Sequence, residues 1–455
     1  MKHFYYLMLI TALWLPGAYE ASAAFTENQL HSNSWDALYK NDAVKSSYGN
    51  CFSGGGTAAN PYLINSANDL AKLAWAVKGG VNEKSSGKHF KLTADIDLNA
   101  RNWERIGHES VIFEGVFDGD GHTIRNMKID LTDHVRGLFG ATKNATIKNL
   151  KMASANIFVH GYDDYRRGSG IIIGKALGNT VIENCHVMDS RIQNEYSDMG
   201  GFIGIVEGGI SISRSSCHVT LNPRKYRTGG FVGSLTKNGS SPSHFTDCIF
   251  TGTMLVDDGG DNMNIGFLIG QVDGGSLNLT RCVVDGRFDV HGNTATNWGR
   301  FIGCNNASTA ITMTNVYSVD PSSATHIPNN LVSGEGSYTT SPGHTSWTAT
   351  TIHAADKANF LNTQKGGDKV WEVYNGKLTT NSVRLTTPSG VSYSPHTFRV
   401  TMGAANNSVS QWCYPNVTEG TVSNASGGYY ASSYKGNKVW ELTATSERVT
   451  VSEGR

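Results

Sequence analysis

The chain has 455 residues, of which 52 are glycine and only 17% are charged, and its formal net charge is zero. The glycines follow no three-residue period, which excludes collagen, and the balanced charge with no long basic run argues against nucleic acid or an anionic membrane as a main partner. The charged fraction lies well below the about 25% of ordinary domains, which points to a repetitive architecture rather than two or three conventional folds.

The first expected element is a secretory signal peptide over residues 1–23. Lys2 and His3 give a basic start, Tyr5 to Trp14 an apolar run, and Ala21-Ser22-Ala23 a small-residue cleavage site. The run is shorter than the about 20 residues that span a bilayer. The mature chain is therefore expected to be secreted or held at the cell surface, with no transmembrane segment. Residues 24–80 follow as an N-terminal segment ending in a capping helix. Ser66 with Asp69 opens it as a capping box, Leu70, Leu73 and Val77 share one face, and Gly79-Gly80 end it. Such a helix would cover the open edge of whatever sheet comes next.

Residues 81–382 carry the main signal, an internal repeat. A glycine-bounded apolar element recurs at Gly137–Gly140, Gly170–Gly174, Gly200–Gly204, Gly229–Gly233, Gly266–Gly270 and Gly299–Gly303. The closing glycines lie 34, 30, 29, 37 and 33 residues apart. A second element runs in phase: Ile147, Ile182, Ile212, Phe245, Leu279 and Met313 fill one slot. Leu150, Cys185, Ser215, Cys248, Cys282 and Val316 fill the next, and Met152, Val187, Cys217, Phe250, Val284 and Ser318 a third. One repeat cannot bury its own apolar residues, whereas stacked coils pair their backbones and pile equivalent side chains into ladders. The expected fold is all-β, a right-handed parallel β-helix, with glycines supplying sharp corners and positive φ.

The seven cysteines are an odd count for an exported protein, where disulfides are usual. Cys185, Cys248 and Cys282 share an inward slot and Cys217 occupies its neighbour, so these read as small buried hydrophobes. A zinc cluster would need closer pairs than this spacing gives, and no metal is expected. Beyond about residue 318 the repeat fades, and residues 319–368 read as irregular coils or loops. Residues 383–455 suggest a small C-terminal β unit, with strand-like runs at Thr397–Thr401, Lys438–Leu442 and Arg448–Val451.

Gly54-Gly55-Gly56-Thr57, Asn60-Pro61-Tyr62-Leu63-Ile64, Leu92-Thr93-Ala94-Asp95-Ile96-Asp97-Leu98, Trp103 with Ile106-Gly107, the run Phe113 to Ile124, and Gly137-Leu138-Phe139-Gly140 together resemble the GLUG-motif proteins over roughly residues 50–318. The resemblance implies a β-helix on secreted or surface proteins of gut-type bacteria, some labelled as immunoglobulin A1 peptidases. That label needs His-Glu-x-x-His. Here His108-Glu109 is followed by no second histidine, so a zinc metalloprotease is not expected.

The tracts just before each glycine motif should fall on one edge of the stack. They include Asp133 to Arg136, then His160, Tyr162, Asp163, Asp164, Tyr165, Arg166 and Arg167. Glu195, Tyr196 and Asp198 follow in the next coil, then Arg224, Lys225, Tyr226 and Arg227, then Asp257, Asp258 and Asp261, then His291, Asn293 and Trp298. Aromatic faces with polar tips, interleaved with fixed donors and acceptors, suit a polymeric glycan or another host or cell-surface ligand. Tyr162, Asp163, Tyr165, Arg166, Glu195, Tyr196, Asp198, Arg224, Tyr226, Arg227 and Trp298 are the candidate binding residues.

An enzyme could use the same edge. Asp163, Asp164 and Asp198 are the candidate acid and base of a glycoside hydrolase. Tyr196, Lys225 or His160 would be the base of a polysaccharide lyase, with Arg224 or Arg227 neutralising the substrate's carboxylate. A passive adhesin or stalk whose C-terminal part does the binding is the third reading, in which these tracts are solvated loops whose charges pair across coils. Asp118, Asp120 and His122 read as a structural turn, the Asp257–Asp261 spacing matches no calcium loop, and no cofactor is implied. A monomer is expected.

Overall fold

The computed structural model describes residues 35–39, 42–131, 135–159, 168–194, 198–223, 227–236, 241–257, 263–291, 297–306, 309–320, 330–334, 338–340, 344–348, 357–358, 361–362, 371–374, 377–380, 396–402, 430–434 and 437–444. The proposed signal peptide and the run Arg448–Val451 lie outside the described residues. The chain divides into two compact units, Thr26–Gly390 and one containing Val391–Arg455.

The larger unit is a parallel β-helix. Its longest ladder pairs Tyr62 with Phe90, Phe90 with Phe117, Phe117 with Ile147 and Ile147 with Ile182. It continues through Ile212, Phe245, Leu279 and Met313 to Thr340. A second ladder runs Ile96, Ile124, Met152, Val187, Cys217, Phe250, Val284, Ser318 and Ser346. The repeat slots of the sequence are thus register partners. Alternation decides which side is buried: in Ser276–Thr280 the leucines are buried and Ser276, Asn278 and Thr280 are half-buried.

The helix Ala67–Trp75 opens on Ser66, whose Oγ accepts the Asp69 N–H at 3.1 Å. Leu70, Leu73 and Val77 are buried, and Gly79 at φ 117° ends the run. Cys185, Cys217, Cys248 and Cys282 are fully buried and unbridged. Burial pushes the Cys185 thiol up to about 12, which leaves it a weak nucleophile.

The repeat glycines serve a different purpose from the one expected. None of Gly140, Gly174, Gly204, Gly233, Gly270 and Gly303 has positive φ. They let two strands of neighbouring coils meet backbone to backbone. A Cβ on Gly204 would lie 2.2 Å from the Ser169 nitrogen, and one on Gly270 2.5 Å from that of Thr228. Positive φ falls instead on the corner between the first two ladders, at Asn149, Asn184, Arg214, Asp247, Arg281 and Asn315, with φ of 50° to 55°. Asn and Asp tolerate this conformation best, and here they also bond along the stack: Asn184 Nδ2 donates to Asn149 Oδ1 at 2.8 Å, and Asn149 Nδ2 to Asp118 Oδ1 at 2.9 Å.

Residues beyond 318, expected as irregular coils or loops within the β-helix, add another regular coil. Val332–Gly334, Tyr338–Thr340 and Thr345–Thr348 pair with the strands beneath them. The exposed ladder edge supplies hydrogen-bond partners that a Ser- and Thr-rich segment would otherwise lack. The chain then returns along the outside. Ala358, Leu361 and Trp371 close over Ile249, Val283 and Tyr317, and the Trp371 indole donates to Asp247 Oδ1 at 3.2 Å. In the same outward row stands His186, 2% exposed, with Nδ1 2.8 Å from Ser216 Oγ and Nε2 3.2 Å from Asn184 Oδ1. The smaller unit contains a three-stranded antiparallel sheet ordered His396–Met402, Asn437–Ala444, Tyr430–Tyr434.

Two measurements check this account. Gly270→Ala is expected to lower stability by about 1–3 kcal/mol in urea unfolding, whereas Gly49→Ala, whose nearest neighbour would be 3.7 Å away, should change little. Burial, aided by Lys151, depresses the His186 imidazole to about 3 from 6.5. Its contribution is therefore whole above about pH 6.5 and declines as the pH falls towards 3, by up to about 1.4 kcal/mol per unit. His186→Gln should flatten the stability profile between these values; a variant as steep as the parent would contradict this.

Candidate functional site

The tracts singled out by sequence lead directly into a separate five-stranded parallel sheet: Gly168–Gly170, Asp198–Gly200, Arg227–Gly229, Asn264–Gly266 and Asn297–Gly299. Each strand enters the glycine corner, so close approach of the backbones fixes where each tract joins the stack. His160, Tyr162, Asp163, Asp164, Tyr165, Arg166, Glu195, Tyr196, Arg224, Lys225 and Tyr226 lie outside the described residues. Asp198, Arg227 and Trp298 are described.

Asp198 and Arg227 are brought together. The Arg227 Nε donates to Asp198 Oδ1 at 2.8 Å, and Ser234 Oγ donates to Asp198 Oδ2 at 2.7 Å. Asp198 is 4% exposed. Burial outweighs both partners and holds its carboxyl above the usual carboxylate range. Arg227 Nη1 also stands 3.9 Å from Asp273 Oδ2. The network continues along the edge: Gln271 Nε2 donates to both Asp273 oxygens at 2.8 Å, Asn264 Nδ2 to Gln271 Oε1 at 2.6 Å, and Asn297 Nδ2 to Asn264 Oδ1 at 2.7 Å.

Trp298 stands in the neighbouring row of the same sheet, in register with Ile265, Thr228 and Met199. Its ring packs 4.6 Å from Phe288, which lies 4.6 Å from Phe267. The indole is half-buried, and its Nε1 is buried with no hydrogen-bond partner. Asp198 and Arg227 therefore form one polar cluster, and Trp298 caps an aromatic stack further along. Asp118, Asp120 and His122 do not converge on a common point. Asp118 accepts from Asn149 and from the Asp120 N–H, each at 2.9 Å, while His122 faces Asp95 at 3.2 Å.

Sequence reasoning missed Ser234, Asn264, Gln271, Asp273 and Asn297. A signal was present: Asp198, Arg227, Asn264 and Asn297 each precede a motif glycine by two residues. Among the described residues no three His, Cys, Asp or Glu side chains are grouped to hold a metal, and no helix is long and apolar enough to cross a membrane.

No family model matches the chain. Among solved structures it is similar to a provisionally named immunoglobulin A1 protease of Bacteroides ovatus, with a TM-score of 0.54 and 20% identity over 72% of this chain and 95% of that one. That likeness bears on the fold. A provisionally named Gly-rich membrane protein of Evansella cellulosilytica is 35% identical over 147 residues, 30% of this chain and 15% of that protein. Halomucin of Haloquadratum walsbyi is 26% identical over 198 residues, 41% of this chain and 2% of that protein. The chain thus spans a small fraction of the curated relatives it matches.

Arg227→Met would leave Asp198 buried without its guanidinium, at a cost of about 3 kcal/mol. The double change with Asp198→Asn should recover part of this in urea unfolding. Equal losses in the single and double variants would show that the cost does not come from an uncompensated Asp198 charge.

Proposed function

We propose that this is an exported or cell-surface β-helix protein of the GLUG-motif type that binds an extended ligand, a complex glycan, along the loop edge of its coils. The observation that carries the reading is the in-register stacking of the strands that follow the Tyr162–Arg166, Glu195–Tyr196 and Arg224–Tyr226 tracts. Equivalent residues of adjacent coils are about 4.8 Å apart, so these tracts join the scaffold at regular intervals. Each of the three tracts carries tyrosine, and between them they carry both charge signs, the mixture that a polymer laid along that edge would use. The name of the Evansella relative, a membrane protein, agrees with a surface location.

Asp198 is poorly placed to act as a general acid or nucleophile. Its carboxylate oxygens are taken up by Arg227 and Ser234, whereas a general acid or nucleophile needs one oxygen open to substrate. The protease name of the Bacteroides neighbour stays with that protein, since this chain carries no His-Glu-x-x-His.

The test is incubation with a panel of neutral and acidic polysaccharides. Retardation in polysaccharide-containing gels is followed together with new reducing ends and the absorbance of unsaturated uronates. Retardation without products is expected, weakened about tenfold or more by Tyr162→Ala with Tyr196→Ala. New reducing ends would make the protein a hydrolase, with absorbance rising as well a lyase, and silence in every assay would leave a passive scaffold.

A further inference from the structure

A different strand of each coil carries a second regular surface. In the longest ladder the residues on either side of the buried rung point outward, forming two parallel rows. One row begins with Lys91, Asp118, Lys148 and Glu183 and then changes character to Ser213, Thr246, Thr280 and Thr314. The other row passes over the same coils as Ser211, His244, Asn278 and Thr312. His244 is exposed and the other seven are half-buried.

Upstream, the charged slots are engaged in ion pairs: Lys91 with Asp120 at 3.0 Å, Lys148 with Asp118 at 3.3 Å, and Arg214 with Glu183. Downstream, no Lys, Arg, Asp or Glu stands in either row. Arg281 and Asp247 at the adjoining corner pair with each other at 2.7 Å. Among the described residues, the Ser211, Ser213, Thr246, Thr280, Thr312 and Thr314 hydroxyls make no protein hydrogen bond, and the side-chain hydrogen bond within the rows is that of Asn278 with His244 at 3.4 Å.

In the first row the backbone does not require this composition, because its slots accept charged side chains a few coils earlier; the second row is uncharged there too, at Val116, Thr146 and Val181. The result is an uncharged sheet face with free donors and acceptors on a fixed lattice. Rows are two residues apart, about 6.6 Å, and rungs about 4.8 Å apart. The rung spacing is close to the length of one hexose in an extended β-linked chain, so each coil can offer hydroxyl or amide groups to one sugar. An anionic polymer would find no cation here, and an apolar partner would leave the hydroxyls unsatisfied. We infer that the Ser211–Thr314 face is a second binding surface, for a neutral β-linked polysaccharide running along the helix axis. It stands on other residues than the loop edge and does not depend on that site.

The experiment is native affinity electrophoresis of the full chain in gels cast with hydroxyethylcellulose, a neutral β-linked glucan. The parent should be retarded. Thr246→Lys with Thr280→Glu, which copies the upstream ion-pair slots, should raise the dissociation constant about tenfold or more while leaving the thermal midpoint unchanged. Should that variant misfold, Thr280→Val with Thr312→Val removes two hydroxyls at little cost to strand propensity, and the same weakening is expected. A parent that is not retarded, or face variants that bind as the parent does, would each overturn the assignment.

Discussion

Every feature of the larger unit follows from one constraint, the in-register pairing of parallel strands at a spacing of about 4.8 Å. Once Phe117 is paired with Ile147 and Ile147 with Ile182, every neighbouring residue is committed to a row. A slip of one residue would turn the apolar row outward, so buried ladders and outward rows fix each other. The glycine corners answer the same constraint, since two strands of adjacent coils meet there without room for a Cβ. Aromatic rungs reinforce it: Phe202 and Phe231 lie 4.6 Å apart, and Phe113 and Phe139 4.9 Å apart.

Much of this was legible in the chain because a solenoid converts sequence period directly into contact. The slots read at Ile147, Leu150 and Met152 recur as rungs, and the four inward cysteines are buried as expected. What escaped was whatever does not repeat or does not depend on hydropathy. The left-handed corner holds Asn, Arg and Asp alike, so no apolar pattern marks it. The reach of Trp371 back to Asp247 spans 124 residues, and no local periodicity can announce such a contact. The extra coil after residue 318 has few large apolar side chains and gains its order from the edge beneath it.

For the candidate site the division is similar. Of the residues that recurrence singled out, Asp198, Arg227 and Trp298 stand in one parallel sheet that leads into the glycine corners. Recurrence did not reveal that Asp198 and Arg227 spend their polar groups on each other, because a charge pair separated by 29 residues becomes a neighbour only once the coil length is known. A solenoid can carry more than one linear surface, since each strand of the coil generates its own rows. The proposed loop edge and the proposed hydroxyl face would be two such surfaces on one scaffold, each with its own chemistry.

The central claim is that ligand contacts recur once per coil along the helix axis. Hydroxyl-radical footprinting of the chain with and without the polysaccharide that retards it would measure this directly. The account predicts protected side chains at intervals of about thirty residues across several consecutive coils, a period set by the coil length of the solenoid. Protection confined to one coil, or to the strands between His396 and Ala444, would contradict it.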